Sequence, residues 1–382
     1  MKKLTAERLL AALSENRRET GIVIHAVYQP VGGRGGKIMP PTYPDGPYLL
    51  EDRWIDGVKQ KTVVLDQAPS QANRAEEALL LARDTGRLEL PIFELSLQTD
   101  VGPVRLTSLD FPHRYADAYL RDSEIDGKRF DASEYGQAIR KATVNDVRPL
   151  YAREPYSLIY GAWDSHRKGR WPKFARLYTS MMYGLDPEIG DRRGGRMDPT
   201  NLTGGVDDAS KAEQDWKFVP DGEKAKGTKL SEIGHGNIAP NKTHGGVTVR
   251  EIRRDAWISF AGLERLRFGD ASPEAAQLAR ATLAALALVG DRLAFGRPSL
   301  WLRSGCDLAR QSEVVGLERE GGEVEPIEID AAEAIALFTR LRDQAAAAGI
   351  VMETTVVPVT PTKQLADAIR FAVTQAAPGS AD

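Results

Sequence analysis

The 382-residue sequence holds one cysteine, Cys306, and five histidines. A single cysteine excludes an internal disulfide and any cysteine-rich zinc site. Five histidines, none in HExxH spacing, give a metal centre little to draw on, so neither metal nor cofactor is expected. Long apolar runs are also scarce. The longest, Leu283–Val289, cannot span a membrane. The run Leu9–Leu13 behind Lys2 and Lys3 is too short for a signal peptide. A cytoplasmic protein with no membrane partner follows as the expectation. Excess charge of one sign is missing too. With 27% charged residues and a net charge of −3, the chain does not coat nucleic acid by bulk charge. The charge is unevenly placed, however: from Trp301 onward there are 7 Lys/Arg against 13 Asp/Glu, a net of −6.

Phosphate-loop signatures are absent despite a tempting stretch. Residues 29–47, QPVGGRGGKIMPPTYPDGP, are so rich in Gly and Pro that they must form a loop, an insertion over 30–60. A Walker loop ending at Gly36-Lys37 needs Gly at Val31 and Ser/Thr at Ile38; GxGxxG from Gly33 also fails at Ile38. An NTPase or Rossmann site is not expected, whereas a glycine loop gripping a backbone phosphate through Arg34 and Lys37 stays open.

Against these absences stands one dense stretch, Tyr151–Pro199. Eight of the chain's 27 aromatics lie between Tyr151 and Tyr183. Ser165–Arg176 carries Arg167, Lys168, Arg170, Lys173 and Arg176 and no carboxylate, and Arg192, Arg193 and Arg196 follow around two glycines. Interleaved cations and rings suit single-stranded nucleic acid: fixed charge for phosphates, flat faces for bases. A buried aromatic cluster with solvated charges around it is the bland alternative, and composition leaves both open.

The remaining chain mixes strands and helices without a regular βαβα alternation, which predicts an α+β fold. A short helix over 4–18, a strand from Gly21 and a strand ending at Thr62–Leu65 come first. Pro69 and Ser70 start a helix that puts Ser70, Gln71, Asn73 and Arg74 near its first turn, where free amides favour anions; a plain helix cap is the alternative. A hairpin over Leu88–Leu109 precedes a predicted helix over Asp110–Ser123. On it His113, Arg114, Asp117 and Arg121 are candidates for phosphate contact or for an internal Arg114–Asp117 pair. Residues 200–246 are polar and rich in Gly and Lys. So long a segment is either functional or disordered. Then come a strand VTVREIRRDAWISF, a helix from Ser272-Pro273 to Val289, the strand SLWL, a hairpin at Gly321-Gly322, a helix capped by Asp330 with Glu333, a strand IVMETTVVPV and a last helix from Thr362. The tail 376–382 is expected to fray.

Taken in order, several long motifs across roughly residues 20–260 resemble one family. They are GGRGGKIMPPTYPDG, VLDQAPSQANRAEEAL, DFPHRYADAYLRDS, SLIYGAWDSHRKGRWPKFARLYTSMMYG, GGRMDP and LSEIGHGNIAP–GGVTV. Together they resemble the RAMP-superfamily backbone subunit of subtype I-G (formerly I-U) CRISPR effector complexes. The resemblance implies a single RRM-like (ferredoxin-like) domain over 1–382, with palm, finger and thumb insertions. It implies copies stacked along CRISPR guide RNA with other subunits of a Cascade-type complex. Phosphates are held without regard to sequence, one base is displaced at intervals, and the rest are left to pair with target DNA. The implied RNA contacts are Arg34, Lys37, Ser70, Gln71, Asn73, Arg74, His113, Arg114, Trp163, Ser165, His166, Arg167, Lys168, Arg170, Lys173, Arg176, Arg192, Arg193 and Arg196. Segment 200–246 is the candidate thumb, with Lys229, His235 and Asn237 facing RNA. Trp163 stacks on a base or is buried beside the sheet.

A non-catalytic role is expected. The rival is a metal-dependent RNA-cleaving backbone subunit of the type III kind, using Asp164, Asp198 or Asp207-Asp208; the sequence shows no cluster of converging carboxylates for two metals. Asp164-Ser165-His166 holds the residue types of a hydrolytic triad, but adjacent residues cannot form one and no GxSxG elbow accompanies them.

Overall fold

In the computed structural model, which describes residues 2–44, 46–164, 173–200, 202, 209–211, 216–218, 237–303 and 305–376, six segments build the core. In chain order they are strand Glu19–Pro30, helix Ala68–Asp84, strands Tyr178–Leu185 and Glu251–Ser259, helix Pro273–Phe295 and strand Cys306–Arg319. The strands lie in the order Cys306–Arg319, Glu19–Pro30, Glu251–Ser259, Tyr178–Leu185, each pair antiparallel. Fourth, first, third, second is the split-βαβ, ferredoxin-like arrangement. The fold is α+β, as the sequence pattern predicts, and this strand order is compatible with the RRM-like core that the resemblance implies.

Alternation along each strand decides which side is covered. In Glu19–Pro30 the residues Ile22, Ile24, Ala26 and Tyr28 are buried, whereas His25 between them is exposed. The two core helices lie on that buried side. Helix Pro273–Phe295 starts where Ser272 Oγ accepts the Ala275 N–H at 3.1 Å, with proline in the first turn, where a missing amide costs nothing. Leu283, Leu286, Leu288 and Val289 are fully buried, each contributing roughly 1.5–3 kcal/mol of apolar burial.

The sequence reading ended this helix at Val289, yet it continues to Phe295 because the charges that follow are paired inside. Asp291 accepts the Tyr178 hydroxyl at 2.7 Å and pairs with Arg254 and Arg292, and Arg292 reaches Glu313 at 2.6 Å. Burial pushes the Asp291 carboxyl up, but Arg254 and Arg292 outweigh it and hold it down at about 2. Arg254 Nε also meets the Gln71 amide oxygen at 3.1 Å, and Ser180 Oγ donates to the same atom at 2.7 Å. One polar network thus ties both core helices to three strands.

Insertions sit between the core elements. Hairpin Leu50–Ile55/Val58–Asp66 extends the sheet beyond Tyr178–Leu185. Between the first core helix and the second core strand, part of a five-stranded sheet forms from Ile92–Thr99, Gly102–Thr107, Ser123–Ile125 and Lys128–Arg129. Strand Val356–Pro361 completes it, parallel to Ile92–Thr99. A ribbon, Glu188–Arg196 paired with Ile238–Thr248, leaves the core between its second and third strands.

Four sequence expectations need correction. Residues 110–123 are not one helix: a single turn at Arg114–Ala116 stops at Asp117, whose carboxylate caps the short helix Ala118–Arg121. Arg114 itself has φ +53°, a left-handed conformation incompatible with a continuous helix. The run expected as one strand over 247–260 is two, Ile238–Thr248 in the ribbon and Glu251–Ser259 in the core. The strand expected over 350–359 is Val356–Pro361, and the first helix spans only Ala6–Ala12. No helix among the described residues is long and apolar enough to cross a membrane.

Candidate nucleic-acid interface

Within Tyr151–Tyr183 six of the seven described rings are core. Tyr151, Tyr156, Tyr160, Phe174, Tyr178 and Tyr183 are buried, and only Trp163 is exposed, at 58%; Trp171 lies outside the described residues. The buried-cluster reading therefore accounts for most of the aromatic density, and among the described residues of this stretch Trp163 is the ring left open to a ligand.

Trp163 lines a cleft of about 720 Å³ with Ala68, His113, Arg114, Gly161, Asp164, Lys173, Arg176 and Thr179. Several local features make this cleft a cradle for anions. Helix Ala68–Asp84 opens into it with no acidic residue in its first turn and no side-chain cap, since Gln67 is turned away to the Tyr43 hydroxyl at 3.0 Å. Ala68, the first residue of this 17-residue helix, lines the cleft, so the positive end of the helix borders it. Arg114, only 7% exposed, is held by both oxygens of buried Glu76 at 2.6 and 2.8 Å and by the Gly161 carbonyl at 2.9 Å. Burial pushes the Glu76 carboxyl up, against the pull of Arg114. Arg176 is exposed, and burial of its stem together with the neighbouring Arg114 charge lowers its pKa. Neither Arg176 nor Lys173 forms an ion pair among the described residues; Lys173 Nζ lies 4.7 Å from the centroid of the Trp163 ring. A cation destabilised by a like neighbour gains most from an incoming anion.

Gly161 shapes the wall, with φ +83° and space so tight that a Cβ would lie 3.1 Å from Arg176 Cγ and from the Phe174 carbonyl. Its importance, like that of Thr179, was not visible in the sequence, because the neighbours that matter are distant in the chain.

The other expected contacts divide into three sets. Gln71 is wholly buried, with its amide bonded to Asp66 at 2.5 Å and to Ser180 and Arg254, so it positions the helix start rather than facing a ligand. Arg114 is likewise interior, paired with Glu76 and not with Asp117 as the sequence suggested. Arg74 bonds Asp66 at 2.8 Å and the Trp301 carbonyl at 3.3 Å, while Ser70 is half-buried and Asn73 and His113 are exposed. A second basic edge lies at the ribbon base. Arg34 and Lys37 are exposed on the glycine loop, Lys37 Nζ donates to the Asp191 carbonyl at 3.3 Å, and Ile38 pairs with Val247. Arg192 and Arg193 are exposed on the ribbon and Arg196 is half-buried. Asn237 Oδ1 accepts the Asp198 N–H at 2.7 Å, which closes the ribbon where the polar segment begins. Ser165, His166, Arg167, Lys168, Arg170, Lys229 and His235 lie outside the described residues.

For the rival nuclease reading, Asp164 is 8% exposed and lines the cleft beside Arg121. Asp198 accepts the Thr200 N–H and hydroxyl. Asp207 and Asp208 lie outside the described residues. Among the described residues no group of three or more His, Cys, Asp or Glu stands close enough to share a metal ion.

Residues 22–188 match the family described as CRISPR-associated protein GSU0053, a span that covers less than half of the chain yet includes the glycine loop, the helix start and the whole cleft. A search among curated proteins finds no match.

Proposed function

We propose that this chain is a non-catalytic backbone subunit of a CRISPR effector complex that holds guide RNA by its phosphates. The observation that supports this best is the cleft: an uncapped helix N-terminus, Arg176 and Lys173 without carboxylate partners among the described residues, and an exposed indole, all inside the span that matches a CRISPR-associated family. None of these groups reads a base edge. Backbone amides and cations grip phosphate whatever the sequence, which is what a subunit carrying any guide requires. The motif order favours the finer reading, a type I subunit of subtype I-G. On that reading copies stack along the guide with other subunits and leave its bases to pair with target DNA. The ribbon Glu188–Arg196/Ile238–Thr248 takes the part of the thumb.

The test is co-expression with a guide RNA, followed by nuclease footprinting of the purified particle. Regularly spaced protection, with the RNA intact after incubation with Mg²⁺, is the expected result. Absence of bound RNA, or its cleavage in Mg²⁺, overturns the assignment.

A further inference from the structure

The core helices cover one side of the central sheet. On the other side Val23, Tyr183 and Leu185 are buried, while Trp257 is 41% exposed and the His25 side chain 53% exposed, on the two central strands. Their cross-strand partners are Val23 and Asp255, so the two rings lie diagonally across one strand pair. Asp255 fixes the imidazole. Its Oδ1 meets His25 Nδ1 at 2.7 Å, and its Oδ2 accepts the Tyr183 hydroxyl at 2.6 Å. Against a carboxylate, Nδ1 is the donating nitrogen, so Nε2, which carries no hydrogen bond among the described residues, is presented outward.

We infer that this face is a second nucleic-acid contact, where an unpaired base of single-stranded RNA stacks on Trp257 and meets His25 Nε2 with its edge. The inference rests on the RNA-binding reading above and extends the strand's path. Thr179 lines the basic cleft and is the cross-strand neighbour of Trp257. Paired positions on one face lie about 5 Å apart, so a strand leaving the cleft reaches the indole directly. Charge does not draw it there. Arg253 is paired with Glu251 at 2.5 Å and Arg53 with Glu51 at 2.5 Å, which leaves flat rings as what the surface offers. A protein partner fits less well. On the side of the four core strands away from the core helices Trp257 and Val314 are the exposed large apolar side chains, too few for the apolar centre of a stable protein interface. Rings on the sheet of an RRM-like fold stack bases in just this manner. The RNP1 sequence pattern is missing here, so the capacity shows only in the folded arrangement.

The experiment measures binding of labelled oligouridine over a salt series to wild type, Trp257→Ala, Trp257→Phe and Lys173→Glu, with thermal melting of each. Trp257→Ala is expected to bind roughly 5- to 100-fold more weakly, the worth of one stacked base, with the slope of log affinity against log salt unchanged. Trp257→Phe should recover most of the loss. Lys173→Glu should instead reduce the slope, as loss of a phosphate contact does. An oligouridine with abasic positions, tested on wild type, should reproduce the Trp257→Ala loss without any substitution. If Trp257→Ala and the abasic probe bind like their controls while Lys173→Glu is weakened, the sheet contact is refuted and the RNA grip stands. If Lys173→Glu has no effect either, the RNA-binding reading itself falls. If Trp257→Ala disrupts self-association and leaves RNA binding intact, the face docks a second copy and the inference is wrong.

Discussion

Arg114→Met is the perturbation whose consequence follows most directly from the geometry. The side chain keeps much of its length and loses its charge. It leaves the Glu76 carboxylate, 2% exposed, without two hydrogen bonds of 2.6 and 2.8 Å, and the Gly161 carbonyl without one of 2.9 Å. Removing one partner of a buried pair costs about 3–5 kcal/mol. The variant has one escape: Glu76 takes up a proton. From its ordinary value of 4.5, neutralising it at pH 7 costs roughly 2.5 units at about 1.4 kcal/mol each, or about 3.5 kcal/mol; at pH 5 the cost is under about 1 kcal/mol. In the variant the folded-state pKa of Glu76 rises further above its unfolded value. The protonated fold is therefore favoured at low pH, and stability is lost as pH rises. Urea unfolding followed by tryptophan fluorescence should show a loss of about 3 kcal/mol or more at pH 7 and about 1 kcal/mol at pH 5. Glu76→Gln in the same background should remove the difference. An equal loss at both pH values, unrelieved by Glu76→Gln, or a loss below about 1 kcal/mol at pH 7, refutes the reasoning.

Other outcomes follow from the same structure. Asp291→Asn should destabilise at neutral pH by about 3 kcal/mol or more, since Arg254 loses its countercharge in the interior. Because Asp291 is held down at about 2, its contribution is present above the unfolded carboxylate range and lost as pH falls towards 2, so acid titrations of wild type and variant should converge there. Glu154, fully buried and accepting the Ser157 N–H, is pushed up to about 8 by burial. Its contribution is present below its unfolded value of 4.5 and lost as pH rises through 8, so Glu154→Gln should flatten the fall in stability between those two values. At the ribbon base a Cβ on Gly245 would lie 2.2 Å from the Gly190 carbonyl oxygen. Gly245→Val should therefore separate the ribbon strands, seen as faster proteolysis between residues 186 and 250 with the core's melting temperature little changed.

Local rules carried much of this fold. The Ser272 cap, the box in which Asp330 and Glu333 exchange backbone hydrogen bonds, and the Gly321-Gly322 turn with φ of +88° and +82° each depend on residues within a few positions. Alternation in Glu19–Pro30 and Glu251–Ser259 set the faces of the sheet. What escaped were pairings between distant segments. Arg114 meets Glu76 across 38 residues, Arg254 meets Asp291 across 37, and Val356–Pro361 completes a sheet begun at Ile92. Charges read in sequence as a helix end or a solvated face proved to be interior pairs. The aromatic stretch misled in the same way: spacing shows that rings are dense but not which of them face inwards. Lys173, Arg176 and Trp163 were legible as candidates, whereas Gly161, Thr179 and the exposed rings of the sheet gained meaning only from their neighbours.

The central claim is that cations in the cleft hold RNA phosphates irrespective of sequence. The most direct measurement is equilibrium binding of the purified protein to single-stranded RNAs of unrelated sequence over a salt series, beside Lys173→Glu/Arg176→Glu. The account predicts similar affinities for all the RNAs, a steep fall with salt, and a shallower slope with weaker binding for the charge-reversed protein. Equal binding by wild type and the charge-reversed protein, or strong discrimination between sequences, contradicts it.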